Sequence, residues 1–267
     1  MKPLLLAAAA YLLAGVPTCR VDDVKSDSRP ISHELWDADL QRFVSEDGWV
    51  DYAAWQRDTA RLTKYLALVA ANHPNERHWS ADERLAYWIN AYNAYTVKLM
   101  LDHWPVASIK DIKGGIGFVN SVWDIKFIEI EGHTYDLNNL EHGIIRPKFQ
   151  DPRIHAAVNC ASVSCPVLRG EAFVAERLDE QLDDQARRWF DGVRNDLSDP
   201  ARPRLSSIMK WYGSDFEWGG GSLEAFVEEH SGVDLPAGAE FAYLDYDWRA
   251  NVAPADRAPA AGADASR

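Results

Sequence analysis

The sequence predicts an α+β fold, with a helix-rich N-terminal half packed on a small, mostly antiparallel sheet. Three observations lead there. Apolar residues recur at helical spacing through residues 34–103. Short alternating runs bounded by Gly, Asn, Asp or Pro follow at 122–135, 193–205 and 241–246. The 267 residues, 47% apolar and 26% charged, suffice for one core, which we place over residues 32–252.

The chain opens with Lys2 and the apolar run from Leu4 to Val16, too short to span a bilayer and suited to a secretory signal over residues 1–19. No good A-x-A cleavage site precedes Cys19, so lipidation of Cys19 stays open. The expectation is a periplasmic or extracellular protein, touching a membrane only if it is a lipoprotein. Residues 20–31 are charged and read as a linker.

Trp36, Leu40, Phe43 and Val44 mark a first helix, and Gly48 breaks it. Tyr52, Trp55, Leu62, Tyr65, Leu66 and Val69 give a second, ending at His73, Pro74 and Asn75. Ser80 with Glu83 forms a capping box that opens the longest helix, residues 81–103, and Pro105 closes it. Leu85, Trp88, Ile89, Tyr92, Thr96 and Leu99 are its core face. Asn90 and Asn93 lie beside that face, and poor helix formers in a helix interior need partners. They either tie down loops or serve a site as substrate-binding groups.

A loop at Gly114, Gly115 and Gly117 leads to a hairpin over 122–135 that turns at Glu131-Gly132. Asp136 or Asn138 then caps a short helix carrying Leu140, Glu141, His142, Ile144 and Ile145, which stops at Arg146 ahead of Pro147. Residues 153–160 read as a buried strand, with Ile154, Ala156 and Val158 on one side and His155 and Asn159 on the other. That strand delivers Cys160 to the loop 161–164, whose N–H groups, with Ser162 or Ser164, can form an oxyanion hole. Leu178, Leu182, Ala186, Trp189 and Phe190 mark a further helix. A second hairpin over 193–205, a helix from Ile208 to Tyr212, a last helix from Leu223 and a strand over 241–246 follow. Residues 253–267 carry no apolar pattern and read as a disordered tail.

A net charge of −13 and a pI near 5.0 speak against nucleic acid or an anionic membrane surface as partner. A small molecule or peptide fits better. The chemistry concentrates in residues 136–166, where an imidazole near Cys160 would convert the thiol to a thiolate able to attack a carbonyl. His142 is the leading partner. Its meeting with Cys160 requires the helix to run antiparallel to the strand, with Cys160 at the mouth of a cleft walled by the Asn90/Asn93 face. Glu141 projects about 100° from its neighbour and is poorly placed to orient the ring, for which Asn138 is better. His155 can replace His142, although on a strand it points away from Cys160.

Arg146 and Arg153 offer guanidinium forks to a substrate carboxylate, or form structural ion pairs. Trp211, Tyr212 and Trp248 wall a groove or fill the core. His103, His133 and His230 read as solvated. Cys160 and Cys165, five apart, are close enough to pair as a disulfide, and C-x₄-C is not a usual zinc spacing, so neither metal nor cofactor is expected.

The motifs Tyr87-Trp88-Ile89-Asn90-Ala91-Tyr92-Asn93-Ala94, Leu140-Glu141-His142 with Ile145-Arg146-Pro147, Asp151-Pro152-Arg153-Ile154-His155 running into Asn159-Cys160, Ser164-Cys165-Pro166, Lys210-Trp211-Tyr212 and Tyr246-Asp247-Trp248 resemble the domain-of-unknown-function family 547. The resemblance runs from Leu35 to Asn251. It implies an α+β protein with a Glu-His-Cys site, similar in logic to papain-like and transglutaminase-like thiol enzymes, and carries that site onto Glu141, His142 and Cys160. The function expected is an exported thiol hydrolase or acyltransferase acting on an amide or ester. The alternative is a non-catalytic module that binds a peptide or small molecule, with Cys160 and Cys165 joined.

Overall fold

Burial of nearly every side of one helix organises the molecule. In the computed structural model, which describes residues 24–113 and 121–256, helix α4 (Ala81–His103) is buried from Leu85 to Leu101 apart from Lys98. A helix apolar all round must be enclosed by other elements. Ser80 accepts from the Glu83 N–H while Glu83 accepts from the Ser80 N–H, so the expected capping box is present. The helix ends at Trp104, ahead of a cis Trp104-Pro105 bond.

Around it pack α1 (Glu34–Phe43), α2 (Tyr52–Gln56) and α3 (Ala60–Ala70). The second helix expected from the sequence is thus two: Asp51 caps α2 through the Ala54 N–H, and the chain leaves helical geometry between Arg57 and Thr59 before resuming. Trp36, Phe43, Trp55 and Tyr65 stack in this layer. Gly48 takes φ +76°, and a Cβ there would meet the Val167 Cβ at 2.4 Å, so this turn admits glycine alone. From the segment read as a linker, Ser28 donates to the His73 carbonyl and accepts from Trp79 and Asn75, which fixes it against the body.

The first hairpin is β1 (Ile128–Ile130) against β2 (His133–Tyr135), antiparallel. Glu131 and Gly132 both take positive φ, as a type I′ turn requires. Residues 122–124 form a 3₁₀ turn instead of extending the strand. The second expected hairpin is reduced to a bridge between Asp196 and Arg204, because β3 (Arg204–Leu205) pairs in parallel with β4 (Ala242–Tyr243). The class is α+β. Its strands make two separate two-stranded pairs, one antiparallel and one parallel, in place of one mostly antiparallel sheet.

The strand expected over 153–160 is absent. A single-turn helix α6 (Ile154–Ala157) occupies it, followed by extended Val158. The alternation that suggested a strand reflects burial on every side: Ile154, His155, Ala156, Ala157, Val158 and Asn159 are all buried. Beyond it come α7 (Leu178–Phe190), α8 (Ser207–Trp211), a 3₁₀ stretch Gly213–Gly220 kinked at Trp218 and Gly219, and α9 (Leu223–Ser231). These build a second, smaller core of Trp189, Leu205, Met209, Phe216, Phe226 and Val227. His230 belongs with it, buried against Phe226, and is not a solvated residue. Ile154 packs into the larger core and Ala156 into the smaller, so α6 marks the seam between them. Residues 1–19, 20–23, the glycine loop and residues 257–267 of the expected tail lie outside the described residues. Among the described residues no helix is long and apolar enough to cross a membrane.

Candidate functional site

At that seam lies a cavity of about 300 Å³. The large core contributes Tyr92 and Val158, the small one Cys165, Ile208 and Tyr212. Glu141, His142, His155 and Cys160 all line it, so residues from three separate segments meet around one space.

Two of them share an unusual turn. Asp136 caps the segment through the Asn139 N–H, and Asn139–Ile145 then winds as a π-helix. Wide turns of this kind occur often at functional sites. The helix does not stop before Pro147. It runs on into α5 (Arg146–Phe149), which carries Pro147 at its second position. Glu141 is buried, and its carboxylate stays 3.9 Å from the His142 Nδ1, beyond hydrogen-bonding distance. The His142 Nδ1 instead faces the Arg146 Nη1 at 3.1 Å. Asn138 donates to Asp124 and so does not orient His142.

Cys160 follows α6, and what places it is the long helix. Asn93 donates to the Ala157 carbonyl and accepts from the Asn159 N–H. Asn90 does the same for both backbone groups of Phe173. These amides are clips behind the cavity, and its wall from α4 is Tyr92 in place of the expected Asn90/Asn93 face. Asn93→Ala is therefore expected to lower stability by about 2–4 kcal/mol, for two orphaned buried groups, and to slow alkylation of Cys160. Asn90→Ala should lower stability alike and leave alkylation unchanged, as thermal melts and iodoacetamide kinetics would check.

Both cysteines are free thiols. The Cys160 sulfur lies 3.1 Å from the Cys165 sulfur, 3.1 Å from the Tyr246 hydroxyl and 3.2 Å from the Ser162 hydroxyl. Ser162 and Tyr246 are themselves 2.9 Å apart, so two hydroxyl protons serve three edges of a triangle. No histidine is among the hydrogen-bond partners of Cys160. The Cys165 hydrogen bond lowers the Cys160 pKa; burial opposes it, and Ser162 and Tyr246 add to the lowering. Burial, then the neighbouring sulfur, pushes the Cys165 thiol well above its ordinary value. Two thiols in contact cannot both ionise readily, and the one with more donors takes the charge. Of the loop N–H groups expected to form an oxyanion hole, those of Ala161, Val163 and Ser164 are engaged by Asn159, Arg249 and Asp247. Ala161 sits at φ 60°, a strained position beside the sulfur.

His155, placed by α6 rather than a strand, does line the cavity that Cys160 lines. Its Nε2 donates to Asp215 at 2.8 Å, and its ring stacks on Tyr212 at 4.5 Å. Arg146 grips the same carboxylate with Nε at 2.6 Å and Nη2 at 2.8 Å. Burial raises the Asp215 pKa, but His155 and Arg146 outweigh it and hold the carboxyl far below its usual range. Arg153 pairs with Asp151, Asp179 and Asp183, a structural tie from α6 to α7. Of the residues that matter here, the sequence reading missed Asp215, Tyr246 and the donor role of Cys165. Tyr212 and Tyr246 stood in motifs without a chemistry.

Residues 76–190 match the model of a family described as "Protein of unknown function, DUF547". That span, a little under half of the chain, is similar to the family. The match is narrower than the resemblance and takes in Asn90, Asn93, Glu141, His142, Arg146, His155, Cys160 and Cys165. Asp215, Tyr246 and the motifs at 210–212 and 246–248 fall outside it. No curated protein and no solved structure matches, so no likeness to papain-like or transglutaminase-like folds is found. Among the described residues, no cluster of three or more His, Cys, Asp or Glu could hold a metal ion.

Proposed function

We propose that this chain is an exported thiol hydrolase or acyltransferase in which Cys160 attacks the carbonyl of an amide or ester on a small molecule or peptide. The observation that carries the reading is the contact set of the Cys160 sulfur, three hydrogen bonds on the wall of a cavity that also presents two histidines. Such contacts favour thiolate without an adjacent base. The proton carrier best supported is His155: its ring lines the cavity and its Nε2–H is bound to Asp215, which matches the base–orienter arrangement of nucleophilic enzymes. His142, expected in that role, has its Nδ1 turned to a guanidinium. It and Glu141 remain candidates for contact with the leaving group. In the reaction the Cys160 thiol gives its proton to the second ring nitrogen of His155 as the sulfur bonds to the carbonyl carbon and the π electrons move to oxygen, and collapse expels an amine or alcohol that takes that proton from His155. Water or an amine then releases the acyl group from sulfur.

A second reading, a binding module with Cys160 and Cys165 joined, draws on the 3.1 Å between the sulfurs. One experiment separates the two. Reduced protein treated with p-nitrophenyl acetate should show a burst of p-nitrophenol and an acetyl group on the Cys160 peptide, both absent in Cys160→Ala and the adduct longer-lived in His155→Ala. No burst and no adduct, with two thiols titratable only after reduction, would favour the binding module.

A further inference from the structure

Among the described residues Glu141 is the one carboxylate on the cavity wall, and no lysine or arginine lines that wall. Glu141 is buried, with its side chain 11% exposed. A buried charge ordinarily has an opposite charge beside it. The nearest guanidinium, Arg146, is fully committed: Nε and Nη2 hold Asp215 and Nη1 meets His142. The polar neighbours left to Glu141 are the His142 ring at 3.9 Å and the phenols of Tyr92 and Tyr212, whose ionisation its charge opposes. Glu141 thus faces the cavity without a close ion pair to lysine or arginine, its charge reaching Arg146 only at longer range.

The mouth of the same cavity is aromatic. Trp211 stacks on Trp248 at 6.0 Å, Tyr246 lies 4.4 Å from Trp248, and Trp123 meets Trp248 edge-on at 5.5 Å. Lys110 already seats its ammonium 4.7 Å from the Trp248 ring, so these faces attract cations. Trp211 is 49% exposed although large and apolar, a cost that a ligand covering it would remove.

We infer that the cavity takes an organic cation, an amine or guanidinium seated against Glu141 with its apolar or aromatic body between Trp123, Trp211 and Trp248. This names the ligand class of the site proposed above, and it rests on that reading only in making the ligand the substrate. The charge of Glu141 works against ionisation of Cys160. A cation placed on Glu141 cancels that opposition, so ligand binding and formation of the thiolate favour each other.

Three probes of one shape test it: benzylamine, benzyl alcohol and benzoate, titrated by tryptophan fluorescence into wild-type protein and into Cys160→Ala. Benzylamine should bind at least tenfold more tightly than benzyl alcohol in both, and benzoate more weakly than either. The isosteric Glu141→Gln, with an unchanged melt, should erase the preference. Trp211→Ala, at an exposed position, should weaken benzylamine and benzyl alcohol alike and keep their order. Equal binding of the three, or a preference that survives in Glu141→Gln, overturns the inference. Because Cys160→Ala needs no thiol, a charge preference without acetylation would sink the enzyme reading alone, and acetylation without a charge preference would sink this inference alone.

Discussion

Alkylation of Cys160 by iodoacetamide is expected to titrate below the range of a free thiol, with its midpoint rising by about one pH unit in Tyr246→Phe and at least that in Cys165→Ala. Hydrogen bonds to a charged group contribute about 1.5–3 kcal/mol, and 1.36 kcal/mol is one pKa unit. Cys165 is the largest cause of the lowering, and its own thiol, held protonated by burial, remains a donor across neutral pH. Tyr246 is likewise held protonated by burial. Cys165→Ser, which keeps a proton to give, should recover part of the shift. His142→Ala should leave the midpoint in place, because that ring does not touch the sulfur.

The midpoint is the quantity to read, and the rate at one pH is a poor substitute. Raising a thiol pKa by one unit cuts the thiolate fraction about tenfold, yet the thiolate grows more nucleophilic with a slope near 0.4–0.5. The net loss at neutral pH is then only about threefold. A midpoint in the free-thiol range for wild type, or one that moves in His142→Ala and stays in Tyr246→Phe, would remove the hydroxyl and thiol donors as the activating groups.

Why the sequence disclosed the long helix and hid the site has a physical basis. Helix α4 is announced by contacts within a few residues, Ser80 with Glu83 at its start and Pro105 past its end. Residues 153–160 offer a weaker local rule: Asp151 accepts from the Arg153 N–H, but Arg153 itself makes no side-chain cap, and the turn is held by the Asn93 clip and by packing on α7. An alternating pattern means a strand only when one face is wet, and here none is. Cys160, His142 and Glu141 could be named from their chemistry because they are close in sequence. Asp215 could not, being 60 residues from His155 and 69 from Arg146, an isolated acid in a chain rich in acids. Tyr246, 86 residues from Cys160, is the same case. The rest of the loop framework is pinned by buried amides, Gln181 on Ala172 and Val174, Gln185 on Val167, Asn195 on Trp189 and Ser206, where a sheet would use strands. Sequence patterns built on strand and helix periods do not register such clips.

Asp215→Asn is expected to be the most destabilising conservative change in the chain, by about 3–5 kcal/mol at neutral pH, because it leaves a buried imidazole and a half-buried guanidinium without their shared carboxylate. His155 can shed its proton in response and Arg146 cannot, so the residual strain falls on Arg146. Against the ordinary 5–15 kcal/mol of a folded protein this is a large share, and about 2–4 °C per kcal/mol for a chain of this size gives a melting point lower by about 6–20 °C. The acid limb carries the sign. A carboxyl whose folded pKa is depressed contributes stability that is complete above its unfolded value, about 3.9, and is lost as the pH falls through the lower folded value. Wild type should therefore lose stability steeply below about pH 4, and Asp215→Asn should lack that part of the slope. Adding Arg146→Met to Asp215→Asn should restore part of the loss at neutral pH, since the orphaned charge leaves with the arginine. Urea unfolding of the three variants from neutral pH down to the acid limb reads all of this. A neutral-pH change under about 1 kcal/mol with an acid limb like wild type would mean that Asp215 is not the anchor of His155, and with it would go the assignment of His155 as the base.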